Sequence, residues 1–214
     1  MNLIQTEMFK KRNKATTVPK EKVQLFYKDI PCDSKEELEA FLWCEALYSI
    51  GVIKSFKRVE SLQLFSGLYN TYTIEKELKT KTKTIEKTET ILSSSVYTPD
   101  IEIEWNILDP IVPKITWVST DNKVKGDKFY LHADNKSYLE VKPIFDQNSM
   151  TRLFKTNQRY LYDKHKIFVD LFIPQEMFQK TFTPVTCMFD KKGKLKKYKI
   201  EYKLNSIKEW INNL

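Results

Sequence analysis

The sequence predicts a mixed α/β domain in which helices flank a central sheet, and three features carry that expectation. Ser34 to Gly51 has the apolar spacing of a helix, Ile101, Ile103 and Trp105 alternate with Glu102 and Glu104 as in a half-buried strand, and a second helical pattern near 149–164 precedes another apolar run at 167–172. A chain of 214 residues with 41% hydrophobic residues is long enough to bury one substantial core.

Residues 1–30 read as a basic N-terminal arm, polar through about Glu21 and apolar from Val23 to Tyr27. Ser34 is placed to cap the first helix, with Glu37 three positions later completing a capping-box pattern. Leu38, Phe41, Leu42, Trp43, Cys44, Leu47, Tyr48 and Ile50 supply its apolar face, and Gly51 supplies a stop. Val52 to Phe56 and Ser61 to Phe65 are short strand candidates. Between them and the next strand lies a Thr/Lys-rich stretch near 71–90, where branching at Cβ favours an extended hairpin insertion over a helix.

Pro99 suits the start of the strand at 101–105, where a missing backbone donor costs least. Ile115 to Val118 and Lys128 to His132 read as strands joined through Asn122 and Gly126. The polar turn from Ala133 to Lys136 suits an antiparallel pairing of its flanking strands, the second being Ser137 to Lys142. Residues 31–174 are thus assigned to the core and 175–214 to an extension. In that extension Thr183 to Phe189 and Lys194 to Tyr202 read as a basic C-terminal β-hairpin around Asp190-Lys191-Lys192-Gly193, followed by a short helix capped by Ser206 and packed through Ile207, Trp210 and Ile211.

Lys and Arg number 36 against 28 Asp and Glu, a formal charge of +8 that favours an acidic partner such as nucleic acid. Cys32, Cys44 and Cys187 are widely spaced and odd in number, without a His/Cys cluster of zinc spacing. Neither a signal-peptide-like apolar region nor a segment approaching a membrane span is legible. A cytoplasmic chain with no membrane partner is therefore expected.

Chemistry is concentrated in two short segments. Residues i and i+2 of a strand share a face, so Glu140 and Lys142 emerge together, and Asp100 needs only to lie at the end of a neighbouring strand. Two carboxylates can hold a hard divalent cation while the lysine stands beside a phosphate; at its ordinary pKa a lysine is too basic to act as a neutral base. Competing readings are a solvated acidic stripe shared by Asp100, Glu102 and Glu104, and a surface salt bridge for Glu140 and Lys142. Glu37 is open between helix cap and active-site acid.

With Pro99-Asp100 followed by Glu140-Val141-Lys142, and Glu37 on the preceding helix, the chain resembles the PD-(D/E)XK nuclease superfamily. Ser34 to Glu37, Tyr97 to Asp100 and Glu140 to Lys142 also follow the order of the TnsA-like transposon and phage endonucleases. The resemblance spans about Ser34 to Phe172. It implies a restriction-endonuclease-like fold and Mg2+-dependent DNA cleavage, with Mn2+ as a substitute, in phage or mobile-element DNA processing or recombination. Asp100 and Glu140 would bind metal, Glu37 would be a third candidate, and Lys142 would assist at the phosphate. Gln158 and Tyr162 resemble a supporting Gln-x-x-x-Tyr element.

Arg152, Lys155, Arg159, Lys164 and Lys166, together with Lys196, Lys197 and Lys199, are the candidate DNA contacts. A second copy of the chain, or a recombination or transposition protein, is an open further partner. The competing class is a non-catalytic nucleic-acid-binding module with the same basic surfaces.

Overall fold

The structure, a computed structural model, describes residues 24–78, 80–118, 128–144, 150–188 and 205–214. A small hairpin of β1 (Leu25–Tyr27) and β2 (Ile30–Cys32) leads into α1 (Lys35–Ser49). Ser34, held in an extended conformation, accepts the Glu37 N–H at 3.1 Å and so satisfies one of the helix's orphan donors. Gly51 follows at φ +82, a left-handed conformation that glycine adopts without Cβ strain and that ends the helix.

Strands β3 (Ile53–Arg58) and β4 (Leu62–Phe65) come next, then the long β5 (Leu68–Leu78) and β6 (Lys81–Leu92), then β7 (Ser95–Tyr97) and β8 (Ile101–Trp105). After the helical turn α2 (Val112–Ile115) come β9 (Thr116–Trp117), β10 (Phe129–Tyr130) and β11 (Lys136–Val141). The chain continues through α3 (Met150–His165), β12 (Val169–Phe172), α4 (Pro174–Lys180), α5 (Val185–Met188) and α6 (Ile207–Asn212).

The central sheet has the order β12-β11-β8-β3. β3, β8 and β11 pair antiparallel, and β12 returns parallel to β11 after the crossover through α3, which makes the sheet mixed. On one face Ile101, Ile103, Leu139, Val141 and Phe172 pack with Phe41, Trp43 and Leu47 of α1. On the other, Tyr138 and Val169 pack with Phe154 and Leu161 of α3. Alternation along each strand thus gives one helix to each face.

The C-terminal helices belong to the α1 side. Met177, Phe178, Phe182, Cys187 and Trp210 join that core, and the Trp43 indole stacks on Phe182 while meeting Phe129 and Phe172 edge-on. Its buried Nε1–H donates to Thr181 Oγ1 at 3.0 Å. Ser206 and Glu209 form a reciprocal capping box on α6.

Several expectations are corrected. Val185–Met188, expected as the first strand of the basic hairpin, is a helical turn. Pro184 supplies the carbonyl that accepts the Cys187 N–H at 2.8 Å, and the turn buries Cys187 in the core. Residues 189–204, which hold the rest of that expected hairpin and Lys196, Lys197 and Lys199, lie outside the described residues, as do the arm at 1–23 and the turn through Asn122 and Gly126.

The strands flanking the Ala133 to Lys136 turn do not form the expected antiparallel ladder: β10 pairs parallel with β9, and both edges of β11 are taken by β8 and β12. The strand expected from Ile115 starts one residue later, at Thr116, because the helical turn that Pro113 initiates runs through Ile115 and Thr116 Oγ1 bonds back to the Val112 carbonyl. The first helix lacks the full capping box, since the Glu37 carboxylate reaches the Asp33 N–H instead of the Ser34 N–H. Among the described residues no helix is long and apolar enough to cross a membrane.

Thr181→Val removes the acceptor of the buried Trp43 indole without changing side-chain shape. Urea unfolding should report a loss of about 1–3 kcal/mol, the cost of stranding a buried donor. An unchanged midpoint and slope would deny that this hydrogen bond ties the C-terminal segment to α1.

Candidate active site

The site forms where β11 ends and β8 begins. In the β8–β11 register Leu139 lies opposite Ile101 and Tyr138 opposite Glu102, so the next step sets Glu140 beside Asp100 on one face. Asp100 is fixed from both sides: its N–H donates to the Leu139 carbonyl at 2.9 Å, and its Oδ2 accepts the Val141 N–H at 2.6 Å. Glu140 is held more firmly still. The buried Tyr97 hydroxyl donates to Oε2 at 2.8 Å, and Lys142 Nζ lies 2.7 Å from Oε1.

Glu37 approaches from the first turn of α1 and is only 7% exposed. Its Oε2 accepts from Arg58, at the end of β3, at 2.8 Å and from the Asp33 N–H at 3.0 Å. Cap and site are therefore not exclusive roles: one carboxylate orders the helix start and adds negative charge to the sheet end.

Burial and neighbouring acids raise the cost of ionising Asp100 and Glu37. Burial, then the Glu140 carboxylate, pushes the Asp100 carboxyl up to about 7, with Glu37 adding to the effect and the Val141 N–H and Lys142 opposing it. Burial likewise raises the Glu37 carboxyl, against the pull of the Asp33 N–H and Arg58, while Asp33 and Glu140 push it further up. The Tyr97 phenol is raised by burial first and then by Glu140, which keeps it a donor to that carboxylate.

The neighbouring acids differ from this group. Glu102 pairs with Lys136 at 3.0 Å and Lys57 at 3.6 Å, and Glu104 accepts from the Ser55 hydroxyl at 3.1 Å and pairs with Lys54 at 3.9 Å. The acidic stripe read from sequence is thus divided: two members form surface ion pairs, and the third turns into the cluster. Hard carboxylate oxygens under mutual repulsion suit a hard divalent cation. Among the described residues, however, no group of three or more His, Cys, Asp or Glu side chains stands arranged to hold a metal ion.

Sequence brings Glu37, Asp100, Glu140 and Lys142 to one place but not Gln158 and Tyr162. Gln158 Nε2 donates to the Val169 carbonyl on the edge strand β12, and Tyr162 is exposed. Both line a separate cavity of about 370 Å³ with Trp117, Tyr130, Arg159 and Phe168. Lys155 and Arg159 are exposed one turn apart on α3, with Lys164 off their row, while the side chain of Arg152 lies outside what the structure describes. Lys166 folds back onto the Asp163 carbonyl at 2.8 Å.

Two contributors escape the sequence reading. Tyr97 carries one local signal, its three-residue offset from Asp100; Arg58 carries none, because its partner is set by the sheet. Compared with protein-family models, curated proteins and solved structures, the chain has no significant match.

Asp100→Asn tests the charge balance. A carboxyl whose folded pKa is raised stabilises the fold fully below its unfolded pKa, and that contribution is lost as pH rises through the folded value near 7. The neutral amide escapes this loss while retaining an acceptor for Val141. The melting temperature of the variant should exceed that of the wild type by several degrees at about pH 8, with the gap closing toward about pH 4. A gap that widens on acidification would contradict the assigned shift.

Proposed function

We propose that the protein is a divalent-metal-dependent DNA endonuclease, with Mg2+ as the metal and Mn2+ as a substitute. One observation carries the proposal: Glu37, Asp100, Glu140 and Lys142, 105 residues apart at the extremes of sequence, converge on one end of a mixed sheet. A mixed central sheet flanked by helices is also the architecture implied by the resemblance to the PD-(D/E)XK superfamily.

Asp100 and Glu140 would hold the cation, with Glu37 as a third acid behind them. Bound there, the cation would lower the pKa of an attacking water and offset charge gathering on the phosphate. Asp100 is already aligned by the Val141 N–H, and Tyr97 fixes the orientation of Glu140. Lys142 neutralises Glu140 in the structure, and a scissile phosphate would give its ammonium a second anion to engage. Arg58 keeps Glu37 ionisable despite burial.

A second reading, a non-catalytic nucleic-acid-binding module, is favoured by the absence of a ready three-ligand group among the described residues and by the engagement of both Glu140 oxygens. The two readings differ in what the acids do. As a nuclease, the protein should cut a supercoiled plasmid in Mg2+, and Asp100→Asn, Glu140→Gln and Lys142→Ala should each lower the rate by about a hundredfold or more with folding and DNA affinity retained. Glu37→Gln should lower it less steeply. Cleavage at the wild-type rate by a folded Glu140→Gln variant would leave the binding-module reading standing.

A further inference from the structure

The ribbon of β5 and β6 sorts its charges by face. Register sets Lys76 directly opposite Lys83 and Lys87 opposite Tyr72, and the alternation of β6 puts Lys81 on that same face. Glu75 and Glu86 point the other way, each opposite a threonine, Thr84 and Thr73. Cross-strand ion pairs are therefore ruled out by geometry, although lysine and glutamate are neighbours in sequence. A like-charge pair directly across a ladder is destabilising, and Lys76, Lys81, Lys83 and Lys87 have no ion-pair partner among the described residues. One acid, Glu89, shares the lysine face, at its base opposite Asn70. Ile74 and Ile85 pair between the lysines and give the same face an apolar centre.

The base of the ribbon is joined to the candidate active site. β6 runs into β7, whose Tyr97 holds Glu140, and β7 pairs with β4. β4 is in turn fixed to α3 by the edge-on contact of Phe65 with Tyr160 at 4.7 Å and by the hydrogen bond between His165 Nε2 and the Gln63 carbonyl at 2.8 Å. Eleven residues of β5 at about 3.3 Å each extend about 35 Å, close to one turn of duplex DNA. A two-stranded ribbon also has the width of a groove reader.

We propose that the lysine face of this ribbon lies on the phosphate backbone of duplex DNA away from the scissile bond. The choice of DNA as the polyanion rests on the nuclease reading; the existence of an anion-binding face does not. Anisotropy of a labelled duplex of about three helical turns, titrated in EDTA over a salt series, tests it. Joint substitution Lys76→Gln, Lys81→Gln, Lys83→Gln and Lys87→Gln should weaken binding and lower the slope of log K against log salt by about 3.6, at about 0.9 for each of the four phosphate contacts.

The matching Lys→Arg set, which keeps charge and ladder, should retain the wild-type slope, and Glu75→Gln with Glu86→Gln should not lower it. An unchanged slope in the Gln set, or a slope lost in the Arg set, overturns the proposal. So does a fall as large with the corresponding single strand as with the duplex. Incubating the same duplex with Mg2+ separates the two claims: wild-type cleavage with an unchanged slope in the Gln set overturns the ribbon assignment alone, whereas a lowered slope in the Gln set beside a wild type that never cuts supports the ribbon and overturns the nuclease.

Discussion

The register of β8 against β11 is the constraint on which the rest depends. Strand side chains alternate, so a slip of one residue would carry Glu140 into the α1 core and bring Leu139 out in its place. The register is fixed away from the acids, by Ile101, Ile103 and Leu139, each fully buried, and by a polar pin in which the Trp105 indole donates to Ser137 and Ser137 to the Tyr130 carbonyl. Asn135, at φ +64, sets where β11 begins. Apolar packing thus determines where two carboxylates meet.

That meeting is electrostatically costly. Asp100 and Glu37 sit in partly desolvated positions where burial and the Glu140 carboxylate disfavour their ionisation; Lys142, Arg58 and two backbone N–H groups offset this, while the Tyr97 hydroxyl and Lys142 hold Glu140. A fold selected for stability alone would place apolar side chains there. Retained repulsion of this kind marks sites that bind a positive ligand or handle protons, which is why the cluster supports the metal-dependent reading more than the order of its short motifs does. The ribbon repeats the pattern with the opposite sign, lysine set against lysine on a face that a polyanion would relieve.

Much of this was legible in sequence wherever local periodicity decides structure. The alternation of 101–105, the apolar face of α1 with its Ser34 cap, and the helix and strand that follow β11 all come from spacing and turn chemistry. So did the shared parity of Glu140 and Lys142. What escaped depends on pairing across the chain. Arg58 meets Glu37 only because β3 lies beside β8, and Gln158 turns to Val169 because β12 is the sheet edge. Val185–Met188 has strand-like composition, yet the preceding proline and the burial of Cys187 favour a helical turn. The division of lysine and glutamate between ribbon faces needed the register of β5 on β6, which sequence repetition leaves free to slip.

The central claim, that Asp100 and Glu140 form a cation site, is tested most directly by growing crystals in Mn2+ and recording anomalous scattering at the manganese edge. The account predicts a peak between the two carboxylates, with Lys142 displaced from Glu140 and the peak lost in Asp100→Asn. An Mn2+-saturated crystal with no peak there and the Glu140 to Lys142 ion pair intact would contradict it.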